Sequence, residues 1–517
     1  MPNQYTTLRR DENQARGIAQ FALDFFNATG DGPAASVLAK VEQFHTDSIG
    51  CAVSALSLGA NAPRVLRAEA LEYPTRDAKE GVPCLASNVP VAPEKAVLAN
   101  CAAAREWDAN GTNFGYNPRT GNTRGEFGHN DFYPVAVAAA QLAGLDGHRT
   151  SLAMICLDEI RGRLAESFAL RDYKIDHVVH GAIASAAVYG AVLGATVDQI
   201  ESAIGLVVAH YIPFRAIRSG HQLSDSKGAS AAISAEAAVV AMRRAMRGFV
   251  GPADVFRNPQ ALFCLFEPPA ADNLSPFDLV LATAGDDFAV MDMHFKLGLY
   301  EHQSAGAIEG LMLLLEQHPQ VLSRQDDIRR IKIAIYEPAF SIIGDPAKRD
   351  PQTRQSADHS MLYIVATLLR KAFQLQRSGW QALMLMPEDY SDDALHDTVT
   401  REWMQRIEFR HGGDEFDRNY PDGIPTTMEL ELAPPAAAPS ETPSGAETLS
   451  SGLVMYPEGH ARNKSGRLRD LLDHKFRLLA AHAVDDVDAL ADRCGNLAGK
   501  SAAEIRQLYD FQLISNT

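Results

Sequence analysis

The residues best suited to chemistry lie in a few polar stretches of an otherwise alanine-rich chain. The longest runs from Asp108 to Pro134, DANGTNFGYNPRTGNTRGEFGHNDFYP. It sets Asp108, Thr112 and His129 among Gly, Asn, Thr and Arg. A polar loop of this length inside a globular protein is uncommon and usually functional. Asp108 and Thr112 are four apart, the spacing of one face of a helical turn, where they could orient a base or bind substrate. Helix capping would use the same residue types equally well. His129 lies in GHND, ahead of Pro134, which opens an apolar run. An imidazole there can serve as a general acid or base near neutral pH, and the layout suits an anion held at a helix N-terminus. The plainer use is a hydrogen bond that orders the loop.

Further candidates follow along the chain. In DHVVH, His177 stands where a helix is expected to begin, while His180 reads as a satisfied core histidine. The pair lacks the Glu of a zinc H-E-x-x-H helix. The segment PFRAIRSGHQLSDSKGAS gathers Arg215, Arg218, His221 and Lys227. Arg forks onto carboxylates and Lys acts as a point charge, so the cluster suits a polyanion. The neighbouring Pro213, Phe214 and Ile217 favour partial burial over an ordinary charged turn. Lys296 and His302 lie in MDMHFKLGLYEHQSAGA, where a lysine could close on a substrate from a second domain or simply snorkel at the surface. Asp358, His359 and Ser360 precede MLYIVATLL and suit a helix cap more simply than a substrate contact.

The elements that must position these residues are mostly helical. From Gln14 to Ala103 and from Pro134 to Gly248, apolar residues recur at helical spacing. The texture changes near Phe288: RRIKIAIYEPA, QRIEFRHG and TTMELELAPP alternate or carry β-branched residues, as strands do. Helical runs at 304–317 and 361–376 sit among them. The expected architecture is mainly α with an α+β second domain. A large helical domain, residues 1–288, is completed by 452–517, and 289–451 form the smaller α+β domain. A disordered low-complexity insertion is expected near 433–447.

Composition narrows the function classes. With 517 residues, two domains are the prior. The net charge of −17 disfavours nucleic acid or an anionic membrane as partner. No apolar run reaches the length of a membrane span, and the first residues lack a signal-peptide core. A cytoplasmic protein is expected, or a mitochondrial matrix one if a leader has been removed. Six scattered cysteines without a C-x-x-C pair argue against a disulfide scaffold, a zinc site or an iron–sulfur cluster.

In order along the chain, HTDSIGCAVSAL, the D-x-x-x-T of Asp108 and Thr112, GHNDFYPVAVAAAQ, DHVVHGAIASAAVYGAVLG, HFKLGLYEHQSAGA and ADHSMLYIVATLL resemble the motifs of the MmgE/PrpD family. Asn130 replaces the usual Pro, and NPRTGNTRGEF is longer than in many members. The resemblance implies a cofactor-independent lyase without a metal, a helical domain with an α+β lid, and a homodimer acting on a small tricarboxylate. It maps the catalytic residues onto Asp108, Thr112, His129, His177, Lys227 and Lys296. It adds a lid tyrosine at Tyr336 and substrate contacts at Arg215, Arg218, His302 and His359. The spacing of Arg215, Arg218 and Lys227 matches the branch that dehydrates 2-methylcitrate. Decarboxylation of cis-aconitate, epimerisation of a related dicarboxylate, or non-catalytic carboxylate binding would use the same cradle.

Overall fold

The computed structural model describes residues 3–28, 30–114, 126–218, 222–337, 339–343, 346–433 and 447–514. They divide into two compact units. Unit 1 comprises residues 1–217, 225–294 and 476–517; unit 2 comprises 218–224 and 295–475. The helical part therefore ends six residues beyond the boundary expected at 288. Residues 452–475, expected in the helical part, belong to unit 2. The reason is local: Val454 pairs with Thr426 at the end of a strand, and Glu458 N–H donates to Glu309, so this stretch is bound to the sheet and its covering helix.

Unit 1 is a helical assembly. Its helices include α1 (Gln14–Asn27), α2 (Ala35–Ser57), α3 (Asn61–Leu71), α4 (Pro93–Arg105), α5 (Tyr133–Ala143), α6 (Gly147–Ser167), α7 (Val178–Val192), α8 (Val197–His210), α9 (Asp225–Met246) and the short α10 (Leu262–Phe266), and the C-terminal return adds helices at Val487–Cys494 and Ala502–Arg506. They form where apolar residues repeat at helical spacing, and α1, α6 and α8 start on a side-chain cap. Asn13 accepts from the Arg16 N–H, and Thr196 with Gln199 closes a capping box on α8. Helix α7 is buried on every face over residues 178–191. Its Gly, Ala and Ser side chains let α6, α8 and α9 approach closely. No single described helix is long and apolar enough to cross a membrane.

Short strands trim this unit. β1 (Gln4–Leu8) is the N-terminal partner of a strand near residue 280. β2 (Val82–Pro83) pairs with β3 (Pro90–Val91), β4 (Thr112–Phe114) with β5 (Glu126–His129), and β6 (Leu279–Ala284) completes the antiparallel pair with β1. The β1–β6 pair was not expected from the sequence.

Unit 2 is α+β. β7 (Ile328–Ile335), β8 (Ile407–His411), β9 (Thr426–Leu432) and β10 (Glu447–Ser450) form one sheet in the order β10-β9-β7-β8. β7 runs parallel to β8 and antiparallel to β9. Along β9 the residues alternate buried and half-buried, so Thr426, Met428, Leu430 and Leu432 turn inward. Helix α11 (Ala305–Gln317) packs on this face. Gly306 permits the approach, since a Cβ there would lie 2.2 Å from Thr426 Oγ1. The three runs expected as strands are β7, β8 and β9. Of the expected insertion, Ala433 donates to the Asp327 carbonyl and Glu447 opens β10; residues 434–446 lie outside the described residues.

Two core histidines make the fold acid-sensitive. Burial lowers the pKa of His45 and of His180 to about 4. Both are neutral in the folded chain at pH 7. Between about pH 6.5 and 4 the unfolded chain takes up protons that the folded chain does not, so stability falls as pH falls through that window. Neither ring nitrogen of His45 has a hydrogen-bond partner among the described residues. Replacing it with phenylalanine should reduce the stability lost between pH 7 and pH 4.5 by ~2.5 kcal/mol, measured by urea unfolding. Parallel losses in variant and wild type would contradict this assignment.

Candidate functional site

In unit 1 the polar loop hangs between α4 and α5. Helix α4 stops at Arg105, and Asp108 lies in the turn that follows. Asp108 is buried and shared by two cations. Arg105 Nη1 reaches its Oδ1 at 3.0 Å, and Lys227 Nζ lies 3.3 Å from its Oδ2. Lys227 is on the first turn of α9 and its side chain is 2 % exposed. A lysine this buried is held by charge partners rather than by water.

The charges continue behind Asp108. Arg105 Nε lies 3.6 Å from Asp131 Oδ2, and Arg161 Nη1 3.6 Å from Asp131 Oδ1. Arg161 Nε donates to Asp158 Oδ1 at 2.9 Å, and Tyr133 Oη donates to Asp158 Oδ2 at 2.6 Å. The Arg161 guanidinium also sits over the Phe132 ring, 5.3 Å from its centroid. Burial raises the Asp158 pKa above the usual carboxylate value, against the lowering by Arg161 and Tyr133. Three cations thus alternate with three carboxylates in the interior of a helical unit. Sequence reasoning missed Arg105, Asp131, Asp158, Arg161 and Tyr133. Arg105, Asp158 and Arg161 signalled themselves as charge inside apolar helical runs, whereas Asp131 and Tyr133 lay in the polar stretch already singled out.

Thr112 does not share a helical turn with Asp108. It begins β4, paired with His129 in the strand register and with His294 through two 2.9 Å backbone bonds. The reason is Gly111, which threads against the Phe44 ring where a Cβ would lie 2.2 Å from it. The Thr112 hydroxyl is buried and has no hydrogen-bond partner among the described residues. The same holds for both side-chain atoms of Asn110, which is fully buried. Asn130 Nδ2 donates to the Phe44 carbonyl at 2.7 Å and to Ser48, so it anchors the loop to α2. His129 closes β5, one residue before the 3₁₀ turn Asn130–Phe132 that leads into α5; its side chain lies outside the described residues, as does the loop 115–125.

His177 is the N-cap residue of α7 and is buried, 3.8 Å from Asp176 Oδ1. His180 binds the Phe168 carbonyl at 3.0 Å, which makes it the core histidine expected. The basic segment is split between units: Arg215 and Lys227 belong to unit 1, Arg218 to unit 2, and 219–221 lie outside the described residues. Arg215 is half-buried, and its N–H donates to the Lys174 carbonyl at 2.8 Å.

Unit 2 holds the remaining candidates. Lys296 is 1 % exposed, so it is a buried lysine and not a snorkelling one. Its carbonyl accepts from Lys475 Nζ at 2.8 Å. His302 is buried and opens the 3₁₀ turn ahead of α11. The Gln303 amide and the Ser304 hydroxyl beside it are buried without partners among the described residues. Glu301 N–H donates to the Asp358 carbonyl at 2.7 Å, which ties the 300–304 segment to the Asp358 turn. There His359 Nδ1 lies 2.6 Å from Asp358 Oδ1, and Arg354 holds the other oxygen at 3.1 Å. Ser360 caps the helix Met361–Leu375, as expected. Tyr336 is fully buried, stacked on Tyr420 at 4.4 Å, with its hydroxyl unpartnered among the described residues. Burial and the neighbouring Tyr420 and Glu301 push its pKa well up, so it is a neutral donor. Arg218 is half-buried in a stretch held by Leu223 N–H to Ser356 Oγ at 2.8 Å.

The chain thus combines a helical unit that buries a lysine–carboxylate pair with a second, α+β unit. The MmgE/PrpD N-terminal domain matches residues 17–271 and the MmgE/PrpD C-terminal domain residues 300–496. The chain belongs to the MmgE/PrpD family. It is 24% identical to an alkylcitrate dehydratase, phiI, of a fungal species over 66% of this chain and 62% of that protein. It is 24% identical to the 2-methylcitrate dehydratase of Escherichia coli K12, over 66% of this chain and 65% of that protein. It is 25% identical to the mitochondrial 2-methylcitrate dehydratase of Yarrowia lipolytica, over 65% and 61%. The matches span less than two thirds of these relatives' own length.

Proposed function

We propose that this chain is a hydro-lyase that dehydrates 2-methylcitrate to 2-methyl-cis-aconitate. The observation that carries the reading is the buried Lys227–Asp108 pair, followed within four residues by Asn110 and Thr112, whose buried side chains have no hydrogen-bond partner among the described residues. Relatives named as citrate-type dehydratases support the choice of substrate.

The hard step is removal of a proton next to a carboxylate, because the electron pair left behind adds charge to an anionic group. A preorganised ammonium in a water-poor site offsets that charge best. Lys227 supplies it, and Asp108 holds it at 3.3 Å. The proton passes to an imidazole, for which His129 is the first candidate and His177 the alternative. The C–O bond to the tertiary hydroxyl then breaks, the alkene forms, and the hydroxide leaves as water with a proton from an acid. The Asn110 amide and the Thr112 hydroxyl offer donors to a substrate carboxylate, whose arrival would satisfy groups that are costly to leave bare. On the family resemblance Lys296 is assigned a catalytic role, and His302, Tyr336, His359, Arg215 and Arg218 are assigned to substrate binding.

Two outcomes test this reading. Mass analysis of the product from 2-methylcitrate should show loss of water with every carboxylate kept. Release of CO₂ from cis-aconitate, with 2-methylcitrate untouched, would replace dehydration by decarboxylation. Separately, Asn110→Asp should raise KM by about tenfold or more, through like-charge contact with the substrate, with little change in kcat. An unchanged KM would remove Asn110 from the binding site.

A further inference from the structure

We infer that Arg105 and the buried chain Asp131–Arg161–Asp158–Tyr133 behind it form a positioning device that fixes Asp108 and, through it, the Lys227 ammonium. The inference rests on the proposed reading in which Lys227 meets the substrate.

The chain is continuous at contact distance. It runs from Lys227 to Asp108 at 3.3 Å and from Asp108 to Arg105 at 3.0 Å. It continues to Asp131 and Arg161 at 3.6 Å each, to Asp158 at 2.9 Å and to Tyr133 at 2.6 Å. Its members come from the end of α4, the turn after it, the 3₁₀ turn before α5, the first residue of α5, the middle of α6 and the start of α9. These are the segments that frame the Asp108–Pro134 loop. Asp131 follows His129 by two residues, so the same chain that holds Lys227 also anchors the backbone that carries His129.

Stability alone is a poor reason for this arrangement. Apolar replacements of a buried ionic network are often neutral or stabilising, whereas a network does hold its members in one geometry. Arg105 shows why: its planar fork takes Asp108 with Nη1 and faces Asp131 with Nε, so it sets the angle between two carboxylates. Arg161 repeats this between Asp131 and Asp158. Tyr133 closes the far end with a donor that burial keeps protonated.

None of Arg105, Asp131, Arg161, Asp158 or Tyr133 is assigned contact with substrate, so their removal should act on kcat through Lys227. The test is a double-mutant cycle of Tyr133→Phe with Lys227→Arg on 2-methylcitrate, with thermal unfolding of each protein. Tyr133→Phe alone should lower kcat about tenfold, as expected for a lost hydrogen bond to a charged group, and leave KM nearly unchanged. In the Lys227→Arg background the same substitution should change kcat little. A Tyr133→Phe protein that unfolds earlier but turns over normally when folded overturns the inference, as do strictly additive losses. Crystal structures of wild type and Arg105→Gln give a readout independent of turnover. Lys227 Nζ should leave its position beside Asp108 Oδ2 in the variant, and an unmoved Lys227 overturns the inference. If wild type dehydrates nothing while Lys227 still moves, the functional reading fails and the positioning role stands.

Discussion

Replacing Lys227 with methionine should lower kcat/KM for 2-methylcitrate by ~10²–10³, the usual cost of removing one preorganised electrostatic donor. The loss should fall on kcat, because the ammonium matters most when charge develops beside the substrate carboxylate. Methionine keeps the length and apolar stem of the side chain, so the first turn of α9 stays packed. Asp108 keeps Arg105 at 3.0 Å and is not left as a bare buried charge. The variant should therefore fold. Lys227→Arg keeps the charge but spreads it over a wider plane, and it should recover only part of the rate. Steady-state kinetics on both variants checks this. A Lys227→Met protein with near-normal kcat would remove the lysine from the reaction.

Arg161→Met should have the largest effect on stability, a loss of ~3–5 kcal/mol in urea unfolding. Arg161 is 3 % exposed and binds Asp158 directly while facing Asp131 at 3.6 Å. Without it Asp158 retains Tyr133, and Asp131 retains Arg105 at 3.6 Å. Two buried carboxylates then each lose a cation that faces them. Phe132 also loses the guanidinium over its ring. The penalty comes from stranded charge rather than from lost volume, so adding Asp158→Leu should recover part of it. If the double variant is no more stable than Arg161→Met, stranded charge is not the cause.

Much of this architecture was legible in the sequence, because periodicity reports which side of an element is apolar. Helices α1 to α9 follow 3.6-residue spacing, and β7 and β9 follow alternation. The β1–β6 pair was not legible. QYTTL is exposed at its first four positions, so it carries no apolar alternation, and its partner lies some 270 residues away in sequence. The return of the chain to unit 1 was placed too early because residues 452–475 bind the sheet by backbone and loop contacts that no periodicity records.

The site was legible in part. Residue type and loop composition pointed to Asp108, Thr112, Lys227 and His177, and each of them is buried. The helical spacing assigned to Asp108 and Thr112 failed because four residues can span a turn and a strand entry as well as a helical turn. The buried network stayed hidden for a different reason. Helix α6 is buried over most of its circumference, so Asp158 and Arg161 at i,i+3 look like an ordinary solvated pair. Only packing reveals that their surroundings are apolar.

The decisive measurement is proton NMR of the purified chain with 2-methylcitrate, run with and without EDTA and beside Lys227→Met. The expected result is an alkene product of water loss from wild type, read as the methyl doublet of 2-methylcitrate giving way to a singlet, unaffected by EDTA, and its near absence with Lys227→Met. Unchanged 2-methylcitrate in the presence of folded wild type, or equal turnover by Lys227→Met, would contradict dehydration at the Lys227–Asp108 centre.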